Sequence, residues 1–69
     1  MITSRLSLAL WDERTKAWEP FPMHAWTFEA DDTKTAHNVL VAARTYTPGK
    51  LGIIRITDRV ERDVELVET

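Results

Sequence analysis

Leucine recurs at every second position near the start of the chain. Residues 5–12 read RLSLALWD, in which the leucines fall on even positions and Trp11 falls on an odd one. A period of two with one apolar side is typical of a half-buried β-strand. The charged sequence that follows, DERTKA, breaks the alternation and indicates a turn. The pattern therefore predicts a strand over residues 5–12 whose core side carries Leu6, Leu8 and Leu10.

A second strand is predicted after two prolines. Pro20 and Pro22 cannot donate a ladder hydrogen bond, because proline has no backbone N–H. The regular part of this strand is therefore expected to begin near Met23 and to end at Glu29 or Ala30. Alternation within it puts three large side chains on one side: His24, Trp26 and Phe28.

A helix is predicted over residues 32–46. The sequence Asp-Asp-Thr at residues 31–33 is typical of a helix start, since a short acidic side chain accepts hydrogen bonds from the free N–H groups of the first turn. The pair Pro48-Gly49 is typical of a helix end. Between these signals, apolar residues recur at helical spacing and predict one buried side: Ala36, Val39, Leu40, Ala43 and Tyr46 or Thr47.

Two alternatives stay open for the last third of the chain. Residues 51–57, LGIIRIT, are rich in β-branched side chains and predict a third strand. The charged sequence DRVERD at 58–63 interrupts it, and alternation resumes at residues 64–66. A hairpin turn near 58–62 that leads into a fourth strand is favoured over one long strand, although the alternation suits both.

The element order β-β-α-β-(β) predicts an α+β domain. A short connection makes the first two strands antiparallel, and the helix returns the chain so that the third strand can pair with the first. The sheet then has the order 4-3-1-2, with the helix on one face and the opposite face uncovered. The expected core comprises Leu6, Leu8, Leu10, Trp26, Phe28, Val39, Leu40, Ala43, Ile54 and Ile56. The uncovered face is expected to hold Trp11, Met23, Ile53, Arg55 and Thr57.

The composition narrows the class of protein. The 69 residues predict a single domain over 1–69, and without cysteine no disulfide or thiolate metal site can stabilise it. The net charge of −2 argues against a broad nucleic-acid surface, which usually carries a basic excess. The sequence has no apolar run long enough for a membrane span or a signal peptide, so a cytoplasmic protein without a membrane partner is expected.

The sequence contains no pattern that is typical of catalysis. His24 and His37, the only histidines, are thirteen residues apart and match no familiar metal-ligand spacing. The two glycines form no phosphate-binding loop, and the early serines lack a nucleophile elbow. We therefore expect a non-enzymatic protein with no metal and no cofactor.

The candidate binding residues are aromatic and basic. Trp11 and Trp18 bracket the first turn and cannot both be buried under one helix, so each is either part of a binding surface or a cover for the proline-bearing loop. Arg55 and Arg59, together with Arg62, could form a basic patch beside Trp11 that suits nucleic acid. Against that alternative, residues 58–69 hold five acids and two arginines, a balance that repels phosphate.

Two segments carry a resemblance to known proteins. LALWDERTKAWEPF and EADDTKTAHNVLVAARTY, within residues 6–46, resemble the opening strand–turn–strand and helix of small uncharacterised proteins from phages and actinobacteria. The resemblance implies an accessory role, such as binding a host protein, and supplies no functional residue. Asp32-Thr33 and Ala36 also resemble the helix start of HicB-type antitoxins, although the usual glycine-bearing loops and the third strand before the helix are missing.

These patterns together favour a small protein-interaction module. We expect a phage or prophage accessory factor that binds a host protein or forms a homodimer through the uncovered sheet face and the turn between Trp11 and Trp18. The alternative is a nucleic-acid-binding or antitoxin-like regulator that uses Arg55 and Arg59.

Overall fold

The residues that the structure describes form one α-helix and a curled antiparallel sheet. The computed structural model describes residues 3–21, 26–58 and 61–69. The elements are β1 (Thr3–Asp12), β2 (Ala17–Pro20), β3 (Thr27–Glu29), α1 (Thr33–Tyr46), β4 (Leu51–Asp58) and β5 (Arg62–Glu68). The helix α1 has 14 residues, and no helix in the described part of the chain is long and apolar enough to cross a membrane.

The strand order confirms the predicted α+β fold. The sheet runs β2-β1-β4-β5, and β3 pairs with β1 as well. Since β4 lies along one edge of β1, β2 and β3 share the other edge, and every pairing is antiparallel. This is the predicted order 4-3-1-2. The hairpin between β4 and β5 confirms the favoured alternative of a fourth strand.

The second strand begins earlier than predicted and consists of two pieces. The first piece, β2, begins at Ala17 and includes Pro20, whereas the second piece, β3, lies within the predicted range. Proline is tolerated there because β2 is an edge strand, where a missing N–H leaves no ladder partner unsatisfied. The expected strand start at Met23, and the position expected for His24, lie outside the described residues.

The helix has the predicted bounds and the predicted cap. The carboxylate of Asp32 accepts a hydrogen bond from the backbone N–H of Thr35 at 3.2 Å, which satisfies one free donor of the first turn. Ala36 and Leu40 are buried against the sheet, and Val39 and Ala43 pack beside them. Tyr46, one of the two residues expected to end the apolar side, is 85% exposed.

The face of the sheet under α1 holds the main core. Its buried members and the partly buried residues packed on them are Leu6, Leu8, Ala36, Leu40, Leu51, Ile53, Phe21, Trp26, Phe28, Val39, Ala43 and Val67. Trp26 and Phe28 are therefore core residues, as predicted. Leu10 lies at the fringe, with 36% of its surface exposed.

The sides of β4 are the reverse of the prediction. Leu6 pairs with Arg55 and Leu8 pairs with Ile53, so Ile53 and Arg55 share the helix side with the leucines. Ile54 and Ile56 lie on the opposite face together with Ala9. A shift of one residue in pairing exchanges the two sides of a strand, and the alternation within β4 alone does not fix that register.

Candidate functional site

The face of the sheet opposite α1 is concave, and we call it the concave face. The strand registers place these residues on it: Arg5, Ser7, Ala9, Trp11, Trp18, Pro20, Gly52, Ile54, Ile56, Asp58, Arg62, Val64 and Leu66. Ser7, Ala9, Ile54 and Ile56 in its centre are at most 1% exposed, although α1 lies on the other face. Trp18 packs on this floor, and Pro20 and Arg62, which lie on strands at opposite edges of the sheet, line the same hollows, so the sheet curls toward this side.

The partly buried side chain of Trp18 packs on this floor. It extends from β2 across Ala9 on β1 and reaches Gly52 on β4. A Cβ atom added to Gly52 would lie 3.1 Å from two carbons of the Trp18 ring and 2.7 Å from the carbonyl oxygen of Glu68. Alanine and glycine therefore form a shallow trough in which the indole lies, and only glycine fits at its far end.

Trp11 and Lys50 lie at one end of this trough, next to the Trp18 ring. The ring of Trp11 meets that of Trp18 edge to face, with centroids 5.4 Å apart and planes at 68°. The Lys50 ammonium lies 5.3 Å from the centroid of Trp11 and 5.8 Å from that of Trp18. Both distances are within the range of a cation–π contact. The backbone N–H of Trp11 donates to the carbonyl of Lys50 at 2.9 Å, which fixes the two residues together.

Two adjoining hollows run along the concave face. One, of about 400 Å³, lies among the tryptophans, Pro20, Val64 and Leu66. The other, of about 340 Å³, lies among Arg5, Ser7 and Ile56. Pro20 and Arg62 border both, so the hollows form one continuous groove with β2 on one wall and β5 on the other. Val64 and Leu66 on the β5 wall are 46% and 44% exposed, which leaves an apolar rim open to solvent.

An ion cluster around Asp58 lies beside the end of the groove that is farther from the tryptophans, and its member Arg62 also borders the tryptophan hollow. The Arg5 guanidinium donates to the Asp58 carboxylate at 2.7 Å, and the Arg62 guanidinium lies 3.5 Å from the same carboxylate. The hydrogen bond from Arg5, together with the positive charges of both arginines, lowers the pKa of Asp58. Asp58 is therefore ionised at neutral pH, and the three groups together carry one net positive charge.

The structure unites two of the predicted binding residues and separates a third. Trp11 and Trp18 lie in contact on the concave face, as the hypothesis of a shared surface requires. Arg55 does not join them: it lies on the helix side of the sheet, where its guanidinium is 3.3 Å from the Glu65 carboxylate. The predicted patch of Arg55 beside Trp11 is therefore wrong, for the same reason of register that misplaced Ile54. Arg59 lies outside the described residues.

Several groove residues are not among the predicted site residues: Lys50, Pro20, Val64 and Leu66. Arg5 is predicted only to face outward from the first strand. Gly52 carried a usable signal, since a glycine inside a β-branched strand often marks a close approach by another group. Alternation then puts Lys50 and Ile54 on the same side of the chain as Gly52, which pairs with Ala9.

The described residues contain no group of three or more histidine, aspartate or glutamate side chains that could hold a metal ion. The described carboxylate with a shifted pKa, Asp58, is shifted toward the charged form by arginine, which is the signature of a structural ion pair. What the groove can do chemically is bind an apolar or aromatic chain between two positively charged ends.

Comparison with protein-family models, with curated proteins and with solved structures found no match to this chain.

Proposed function

We propose that the chain is a small non-enzymatic protein-interaction domain whose contact surface is the concave face. One observation carries this proposal: an apolar groove with a tryptophan pair at one end and an exposed aliphatic rim, Val64 and Leu66, along one wall. Tryptophan and arginine dominate binding energy at protein interfaces, and both occur here around a buried apolar floor.

Nucleic-acid binding is the second candidate. The tryptophan pair with Lys50 could stack a base, as single-strand binders do. The rest of the groove favours a protein, because its floor and walls are aliphatic and Asp58 lies among its cations. Arg55 lies on the opposite face of the sheet, so it cannot contribute to the basic patch that nucleic-acid binding would need beside Trp11.

The biological setting that we propose is a phage or prophage accessory factor. It rests on the resemblance of residues 6–46 alone. A host protein is the partner that this setting implies, and a cytoplasmic location stays a prediction that goes with it.

The test compares variants on and off the concave face. Leu66→Ser and Trp11→Ala remove exposed groove surface, whereas Tyr46→Ala removes an exposed aromatic side chain from α1 and serves as the control. Each variant is first checked for an unchanged circular-dichroism spectrum. Partner capture from the organism that encodes the chain is then quantified by mass spectrometry, and self-association is measured by sedimentation over a range of concentrations.

We expect the two groove variants to lose a partner, or the homodimer, that the wild type and Tyr46→Ala retain. If folded groove variants keep the same partners and the same oligomeric state as the wild type, the concave face is not the contact surface and the proposal is wrong.

A further inference from the structure

The groove has the length of a short extended peptide. It runs from Arg5 to Trp11 on β1, seven residues with six intervals between them, which at about 3.3 Å per interval is about 20 Å. An extended chain of about six or seven residues spans that distance. The apolar floor and the Val64 and Leu66 rim lie between the two ends, so aliphatic or proline side chains suit the middle of such a peptide.

Each end of the groove carries more positive charges than carboxylates that are ion-paired with them. At one end, two arginines share a single carboxylate, Asp58. At the other end, Lys50 lies over the tryptophans and has no ion pair among the described residues. Lys16, which also borders the groove, is already paired with Glu13 at 3.0 Å. The chain as a whole is acidic, with 11 acids against 9 bases, so these two ends differ in sign from the bulk of the molecule.

From this arrangement we propose that the concave groove binds an extended polypeptide segment with an apolar centre and an acidic residue near each end, about 20 Å apart. The inference rests on the proposed function and specifies its partner. A homodimer through two concave faces would place either two like ends together or the tryptophan end of one copy against the arginine cluster of the other. Positive charge then meets positive charge in both arrangements, and neither supplies carboxylates to the groove ends. An acidic segment of another protein supplies them, and it also explains why the positive ends flank an apolar floor.

The probes are three pools of synthetic heptapeptides with acetylated and amidated ends. Five central positions vary among Val, Leu, Ile, Pro and Thr, and both outer positions are Glu in one pool, Gln in the second and Lys in the third. A fourth probe is a twelve-residue oligothymidylate. Binding of fluorescently labelled probes to the full chain is measured by anisotropy at low and at moderate salt.

Charge reversal at one end of the groove provides the decisive variant. Lys50→Glu changes the charge beside the tryptophans, and Lys34→Glu makes the same change at an exposed position of α1, outside the residues that line the groove. We expect the wild type and Lys34→Glu to prefer the Glu pool over the Gln pool by about fivefold, since exposed ion pairs each contribute little. Lys50→Glu is expected to lose that preference.

The outcomes separate this inference from the proposed function. Equal binding of the Glu and Gln pools, abolished by Leu66→Ser, would overturn the acidic specificity and leave the peptide-binding groove in place. Equal effects of Lys50→Glu and Lys34→Glu would also overturn it, because the selectivity would then come from net charge. Salt-sensitive binding of the oligothymidylate without binding of any peptide pool would contradict both ideas in favour of nucleic acid.

Discussion

The two faces of the sheet bury the same strands in different ways. Under α1, a helix covers aliphatic side chains, and Leu40 inserts among Leu6, Leu8 and Ile53 without exposed surface. On the concave face, the indole of Trp18 packs on the floor, whose residues Ala9, Ile54 and Ile56 are as fully buried as the core under α1. Neither face is closed completely: an apolar hollow of about 260 Å³ remains between α1 and the sheet, beside Leu8 and Val39, and the rims of the concave face stay open. The concave face differs because its hollows are bordered by a tryptophan pair and by arginine as well as by aliphatic side chains.

Loss of the helix contact is expected to have the largest effect on stability. Leu40→Ala removes a fully buried side chain from the main core, and should lower the free energy of unfolding by about 2–5 kcal/mol. Val41→Ala on the next position of α1 is the control, because Val41 is half exposed and its loss should cost less than about 1 kcal/mol. Urea denaturation measures both, and equal losses would show that α1 does not pack as described.

Trp18 is expected to be the principal support of the concave face. Trp18→Ala uncovers the floor around Ala9 and Ile54, and should cost about 2–3 kcal/mol, below the range for a fully buried tryptophan because the ring is partly exposed. Trp11→Ala removes mainly the edge-to-face contact and should cost about 1 kcal/mol. If Trp11→Ala proves more destabilising than Trp18→Ala in the same urea experiment, the roles of the two rings are reversed.

Gly52 tests the trough itself. Gly52→Ala places a methyl group against the Trp18 ring and the Glu68 carbonyl, and should cost about 1–3 kcal/mol. In a double-mutant cycle, Trp18→Ala should relieve part of that cost, because the ring is one of the two obstacles. Strict additivity of the two losses would contradict the close approach of Trp18 to Gly52.

The smallest expected effect is at the ion cluster. The lowered pKa of Asp58 means that its contribution to stability is present above its ordinary pKa of about 4 and is lost as the pH falls through the lower value in the folded protein. Asp58→Asn should therefore be slightly less stable than the wild type at pH 7, and the two should converge in strong acid. A difference between the two proteins that stayed constant down to pH 2 would show that charge on Asp58 does not stabilise the fold.

Local pattern predicted most of the elements because their signals are short-range. The cap at Asp32 and the stop after Tyr46 depend on neighbouring residues, so α1 was predicted within one residue of its bounds. The alternation of leucines fixed the inward side of β1. The start of the second strand was predicted too late because Pro20 was expected to lie outside a strand. Pro20 is tolerated in β2 because β2 is at the edge of the sheet, and that position is a property of the assembled sheet.

The sequence by itself determined the α+β class, the element order and the placement of Trp11 away from the helix. The tertiary structure alone decided which side of β4 faces α1, because register is set by pairing with β1 and not by alternation within the strand. That decision placed Ile54 and Ile56 under Trp18, put Arg55 on the other face, and brought Lys50 to the tryptophans. The candidate groove exists only because the sheet curls, and curl is a property of several strands together.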